Sequence, residues 1–287
     1  MLHLIPNMND IKETLLLSER YGAAFEYNEF AMPAVLSDEA RIKEIVAFYK
    51  GIDRDRSNDT MHGAFLDITI HSEDPDIRKA SEHRVYQCMD IADTLGLRGV
   101  VFHTNTIPNF RNKPYLNNWL KMNEAFFRTV TAKYPHITVF MENMFDEVPD
   151  DLAMIAEHMK DVDNFGVCFD YAHANVFGRK LSIETWAHML MPYTKHMHVN
   201  DNDGLIDQHA AVGQGSIDWD EFNELVGGYV RGNGSSAAAD GEDVCGKQQG
   251  NGQGAVPAPS VLIETANLGN FKKSCEFMSE HGLYPFN

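Results

Sequence analysis

Long hydrophobic runs are missing from this chain: no stretch reaches the roughly 20 apolar residues that cross a bilayer. Its opening, Met1-Leu2-His3-Leu4-Ile5-Pro6, has no basic region followed by an apolar core, so neither a signal peptide nor a transmembrane helix is expected. Cysteine is scarce. The four present (Cys88, Cys168, Cys245 and Cys275) lie far apart, which excludes a dense disulfide framework or a CxxC pair and fits reduced thiols in a cytoplasmic protein. A glycine-rich phosphate loop is also lacking. GQGSIDW has glycines without P-loop spacing, and no strand runs into the glycine fingerprint of a dinucleotide site. Positive charge is short as well: 24 Lys and Arg face 42 Asp and Glu, for a formal charge of -18. That balance disfavours nucleic acid, whose phosphates are gripped by basic patches, and leans toward a small-molecule partner. It also leaves carboxylates available to hold cations.

What is present is a rhythm. Strands are expected at residues 2–6, 24–30, 61–66, 99–103, 138–142, 166–170, 196–200 and 261–264. Amphipathic helical patterns occupy 37–49, 77–95, 119–133, 152–159, 183–191, 219–225 and 270–280. Strands alternating with helices in this way predict an α/β fold, a single (β/α)8 TIM barrel over residues 1–287. A doubly wound sheet, the main competitor, would carry a glycine-rich first turn. Residues 227–260 break the rhythm, being rich in Gly, Ser, Ala and Gln and nearly free of large apolar side chains. Such a composition buries too little surface to offset its ordering entropy, so a flexible insertion is expected there, on the N-terminal face of the barrel.

Imidazoles and carboxylates cluster at or just beyond the strand ends: His62, His103, Glu142, Asp170 with His173, His198, Asp207 with His209, and Glu264. In a barrel the C-terminal strand ends converge on one face, where residues remote in sequence share a pocket. Each alone has a bland reading. Asp170 would cap the next helix, Glu142 or Glu264 would pair with a lysine, and a single histidine is more often a hydrogen-bonded rim residue. His3, His71, His83, His136, His158, His188, His196 and His281 are read in that bland way. The joint pattern is different, because buried carboxylates are costly unless paired or bound to metal. It predicts a divalent-metal centre (Zn, Mn, Co or Mg, one to three ions).

The blocks GVCFDYAHAN, HMHVNDNDG, DQHAAVGQGSIDW and LIETAN resemble the metal-binding signatures of the xylose-isomerase-like TIM-barrel superfamily. That superfamily holds sugar and sugar phosphate isomerases and epimerases as well as endonuclease IV. The resemblance covers nearly the whole chain outside 227–260 and is specific from Glu142 onward. The sugar-isomerase branch implies one cation on Glu142, Asp170, His198 and Glu264, with His173 on the substrate. Glu142 and Glu264 would then be catalytic, moving a proton between neighbouring carbons through a metal-stabilised enediolate. The endonuclease IV branch implies three zinc ions and adds His62, His103, His173, Asp207 and His209 as ligands.

The leading expectation is therefore a metal-dependent isomerase or epimerase acting on a small-molecule sugar or sugar phosphate. The alternative is an endonuclease IV-like phosphodiester hydrolase acting on abasic DNA. A third is a catalytically silent sugar- or metal-binding barrel. Arg111, Lys113 and Arg179, with Lys180, are the cations that would meet a substrate phosphate, although isolated basic residues more often only solvate a surface. Phe65, Phe102, Phe145, Tyr171, Phe177 and Trp219 are read as pocket wall or packing. A homo-oligomer stays open.

Overall fold

Short apolar strands buried on both faces are what a parallel sheet requires. In the computed structural model, which describes residues 1–178, 180–232 and 258–287, they are β1 (Leu2–Leu4), β2 (Ala23–Tyr27), β3 (Thr60–His62), β4 (Gly99–His103), β5 (Thr138–Glu142), β6 (Phe165–Asp170), β7 (Thr194–Val199) and β8 (Ser260–Ile263). Each pairs in parallel with its neighbours in sequence, and β8 pairs with β1, so the sheet closes into the expected (β/α)8 barrel. Around it run α1 (Ile11–Tyr21), α2 (Pro33–Leu36), α3 (Glu39–Lys50), α4 (Pro75–Leu95), α5 (Lys113–Lys133), α6 (Asp150–His158), α7 (Tyr171–Phe177), α8 (Ile183–Leu190), α9 (Trp219–Phe222), α10 (Gly228–Val230) and α11 (Leu268–Glu280). Among the described residues no helix is long and apolar enough to cross a membrane.

Alternation along the strands decides which side chains enter the barrel. Val100, Phe102, Val139, Met141, Val167 and Phe169 belong to the large core that also takes in the helices, whereas Val101, Phe140 and Cys168 form a separate small cluster. Successive side chains on a strand point to opposite faces, so the small cluster lies inside. The interior also holds polar groups. His196 on β7 meets Glu26 on β2 at 2.9 Å, a contact between strands that are not neighbours and hence across the barrel. The same alternation sends His62, His103, Glu142, Asp170 and His198 to its C-terminal end. The registers His103↔Glu142 and Asp170↔His198 set them side by side.

Several boundaries differ from expectation. The sequence reading places no helix between the first two strands, yet α1 forms there, capped by Asp10 and stopped by Gly22 at φ 61°. β3 ends at His62 rather than running on to residue 66. A Cβ on Gly63 would sit 2.3 Å from the Phe102 ring, so the position just beyond the strand takes only glycine. α5 starts at Lys113, shortening the loop expected after His103. Of the expected insertion, Gly227 closes a π-helical turn, α10 follows, and Ser260 opens β8. Residues 233–257, with Cys245, lie outside the described residues.

At the other end of the barrel, buried Asp59 joins β2 to the turn before β3. Its carboxylate accepts from Phe25 N–H at 2.9 Å, Tyr27 Oη at 2.7 Å and Arg54 Nη2 at 2.9 Å. Removing one partner of a buried pair strands the other. Asp59→Ala is expected to cost about 3–5 kcal/mol in a urea unfolding titration. A loss below about 1 kcal/mol, the scale of an exposed ion pair, contradicts this.

Candidate metal centre

Glu142 closes β5 with both carboxylate oxygens buried. Oε2 lies 3.3 Å from His103 Nε2 and 3.6 Å from His62 Nε2. Oε1 lies 3.1 Å from His198 Nδ1 and 3.4 Å from His173 Nδ1. Neither oxygen has a hydrogen-bond partner. Glu264 Oε2 approaches His198 Nδ1 at 3.1 Å, and the unpartnered Asp170 Oδ2 stands 3.3 Å from His173 Nδ1. Ligand atoms gather within 4.8 Å of one another in His62, His103 and Glu142, in Glu142, Asp170, His198 and Glu264, and in His173, Asp207 and His209. Every ligand position anticipated from the sequence thus enters one of three groups, and Glu142 belongs to two. A further group, Cys168, His196 and His198, lies inside the barrel and shares His198.

Local structure aims these side chains. His62 Nδ1 meets the Gly63 carbonyl at 2.9 Å, His173 Nδ1 the Asn143 carbonyl at 2.9 Å, and His209 Nδ1 the Glu264 carbonyl at 3.2 Å. A carbonyl only accepts, so Nδ1 carries the proton and Nε2 of the neutral ring keeps its lone pair for the centre. Asp170 does two jobs: Oδ1 caps α7 by accepting from His173 N–H at 2.6 Å, leaving Oδ2 free. The bland capping role is real and coexists with the other. Asn143 staples β5 to β6, donating to the Asp170 carbonyl at 2.8 Å and accepting from Asp170 N–H at 3.0 Å.

The loop carrying Asp207 and His209 is built on Asp201. Its carboxylate accepts from the N–H groups of Asn202, Gly213 and Ile217 and from Trp219 Nε1. Gly215 passes so close that a Cβ would meet Asp201 Oδ1 at 2.2 Å. His209 sits at φ 47°, a left-handed conformation unfavourable for a side chain with a Cβ and found where function fixes geometry.

The arrangement fits a divalent cation. His62 Nε2 and His103 Nε2 face each other at 3.2 Å, where two lone pairs repel unless a proton or cation lies between them. The buried, unpartnered oxygens of Glu142 and Asp170 need positive charge for the same reason. Imidazole and carboxylate without thiol at the mouth suit zinc, manganese or cobalt.

In the absence of metal the groups charge one another. Burial alone would raise the Glu142 carboxyl, but His198 and His103 hold it well below the usual range. Burial pushes Asp170 up to about 7, with the Glu142 and Glu264 charges adding to it against His173. His209 is driven up to about 9, against burial, by Asp207 and Glu264. Asp207 falls below its ordinary value, against burial, because of His173 and His209. His173 and His198 also rise against burial, His173 through Asp170 and Asp207, His198 through Cys168 and Glu142.

The signs define a pH window. The His209 contribution to stability is complete below its ordinary 6.5 and lost as pH rises through about 9. The Asp207 contribution is complete above its ordinary 3.8 and lost as pH falls through its lowered value. Asp170, raised by burial, contributes most below its ordinary 3.8, and that contribution is lost as pH rises through about 7. The chelated protein is therefore expected to melt highest near roughly pH 4 and progressively lower toward pH 9. Divalent metal needs deprotonated ligands, so the gain in Tm on adding Zn2+ grows over pH 6 to 9. Calorimetry with and without chelator checks both, and a Zn2+ gain independent of pH contradicts them.

The expected phosphate contacts fare differently. Arg111 is spent on Asp151, with Nη1–Oδ2 at 2.5 Å and Nη2–Oδ1 at 3.1 Å, and Lys180 on Glu147 at 2.7 Å. Lys113 is exposed at the start of α5 and makes no ion pair among the described residues, and Arg179 lies outside them. Phe65 packs edge-on to His103, and Phe177 leans on His173 with Phe145 beyond it, so these three wall the site. Phe102, Tyr171 and Trp219 are core. Of the histidines outside the anticipated ligand set, His136 pairs with Asp93, His158 with Glu124, and His196 meets Ser260. Sequence reasoning missed Glu26, whose signal is a carboxylate in the middle of the apolar strand AAFEY.

The sequence model of the xylose isomerase-like TIM barrel family matches residues 22–229. An uncharacterised protein of Methanocaldococcus jannaschii is 27% identical over 186 residues, 61% of each chain. A protein named probable endonuclease 4, from Chlorobium limicola, is 23% identical over 184 residues, 58% of this chain and 62% of its own. The chain thus spans about three-fifths of the length of the curated relatives it matches. Among solved structures, a Thermus thermophilus protein soaked with ZnCl2 is 22% identical with a TM-score of 0.66, covering 97% of this chain and 96% of its own. A D-tagatose 3-epimerase-like protein is 20% identical with a TM-score of 0.67, covering 98% of this chain and 97% of its own. The family match takes in most of the barrel and the strands that bring Glu142, Asp170 and His198 together, and the chain belongs to the xylose isomerase-like TIM barrel family.

Proposed function

We propose that the chain is a divalent-metal-dependent hydrolase of small phosphate esters, with Glu142 shared between two cation positions. The observation that carries this is the environment of Glu142. Its side chain is 1% exposed, and imidazoles of four histidines stand against its two oxygens. A carboxylate that takes a proton from a substrate carbon needs an oxygen open to the mouth, and Glu142 has none. Hemmed in on both oxygens, it suits a bridging ligand. This departs from the leading expectation, in which Glu142 and Glu264 trade a proton.

Bound divalent cations supply Lewis acidity and a nucleophile from water at neutral pH. The residues do the rest. The Nδ1–carbonyl bonds of His62, His173 and His209 fix their rings before substrate arrives. Phe65, Phe145 and Phe177 restrict water at the rim. A formal charge of -18 and the pairing of Arg111 and Lys180 leave little to grip a duplex backbone, which favours a small ester over abasic DNA. The relative named probable endonuclease 4 supports the reaction class, and the zinc-soaked neighbour supports zinc.

One observation favours the isomerase or epimerase reading. Glu264 is less enclosed, at 8% exposure, so in that reading it alone would move the proton.

The zinc-loaded chain is to be assayed with bis(p-nitrophenyl) phosphate, with an abasic duplex, and with ketoses in tritiated water. Diester turnover is expected, falling at least about 100-fold in Glu142→Gln, the upper scale for losing even an outer-shell partner. Solvent label entering a ketose without diester turnover, abolished by Glu264→Gln, overturns the hydrolase in favour of the isomerase. Abasic cleavage without small-diester turnover overturns the substrate class.

A further inference from the structure

We propose that Glu26 is a positioning residue that holds His198 so that Nδ1, not Nε2, meets the metal centre. The inference rests on reading the mouth as a metal centre. His62, His173 and His209 show the other arrangement, with Nδ1 on a backbone carbonyl and Nε2 inward. His198 is reversed: Nδ1 lies 3.1 Å from both Glu142 Oε1 and Glu264 Oε2, while Nε2 points into the barrel, 3.0 Å from Glu26 Oε1.

The shorter hydrogen bonds around Glu26 support this, although Ser260 Oγ also reaches the Lys195 carbonyl at 3.4 Å. Arg98 Nη2 donates to Ser260 Oγ at 2.8 Å, so that hydroxyl is free to donate to His196 Nδ1 at 2.7 Å. His196 Nε2 then donates to Glu26 Oε2 at 2.9 Å, and Thr60 Oγ1 donates to the same oxygen at 2.6 Å. Donors converge on Oε2 from two sides, which fixes the carboxylate plane and leaves Oε1, with no hydrogen-bond partner of its own, facing His198 Nε2 at 3.0 Å. Glu26, Thr60, His196 and His198 are all fully buried. A buried carboxylate costs several kcal/mol unless its partners justify it. A carboxylate behind a ligating imidazole fixes its tautomer and raises its basicity more than a carbonyl does.

The test uses the whole chain with Co2+ as probe, followed by visible absorption. Glu26→Leu removes the acceptor, and Glu26→Gln keeps an acceptor without charge. Co2+ affinity is expected to fall about 10- to 100-fold in Glu26→Leu, with shifted absorption bands, and less in Glu26→Gln. A Glu26→Leu chain that folds, by circular dichroism, and binds Co2+ with wild-type affinity and bands overturns the proposal. A measurement on the wild type covers the case in which the variants do not fold. In 15N-histidine-labelled protein loaded with 113Cd2+, cadmium is expected to couple to His198 Nδ1, with a slowly exchanging proton on Nε2, the His198 signal being identified by its loss in His198→Gln. Coupling to Nε2 overturns the proposal and leaves the metal centre standing. A wild-type chain that binds neither ion overturns the metal-centre reading, and this inference with it.

Discussion

A single buried carboxylate constrains the rest of this molecule. Glu142 presents two unpartnered oxygens to imidazoles delivered by β3, β4, β7 and the start of α7, with its side chain 1% exposed. Desolvating that charge costs more than any one contact returns, so its surroundings must be assembled together or not at all. The closed barrel is the device that does this. Neighbouring registers bring His103 beside Glu142 and Asp170 beside His198, and closure carries Glu264 round to the same mouth. Apolar packing between sheet and helices provides the stability against which such a site can be held.

Polarity continues beneath the mouth. The interior of a (β/α)8 barrel is usually filled with branched apolar side chains. Here Glu26, Thr60, His196 and Ser260 replace part of that filling with a hydrogen-bonded layer, next to the small apolar cluster of Val101, Phe140 and Cys168. The layer ends on His198, so the least exposed part of the protein bears on its chemistry. Above the mouth, the loop anchored by Asp201 brings Asp207 and His209 over the strand ends, and His209 accepts an unfavourable φ to get there.

The strand ends were legible in the sequence because period two and strand-terminal polarity leave a local mark, as in GVCFD and HMHVN. The candidate ligand set is legible as residue types at those ends, and its convergence follows from barrel topology. Pairing across space was not. Nothing local tells that Arg111 is taken by Asp151, or that both Glu142 oxygens are buried against histidines. Glu26 was passed over because one acid in AAFEY looks like an edge residue until β2 is known to face β7 across the barrel. α1 escapes the sequence reading although its caps, Asp10 and Gly22, stand in the sequence. The segment at 233–257 lies outside the described residues, and its sequence expectation stands as one.

The account turns on Glu142 serving two cation positions at once. Anomalous diffraction at the zinc edge from crystals grown with Zn2+ measures this directly. Two ions, one on each Glu142 oxygen with His62–His103 and with Asp170–His198–Glu264, and a third at His173–Asp207–His209, are the expected result. A single ion with Glu142 bound through one oxygen and the other open to the mouth contradicts it, and returns the site to proton transfer.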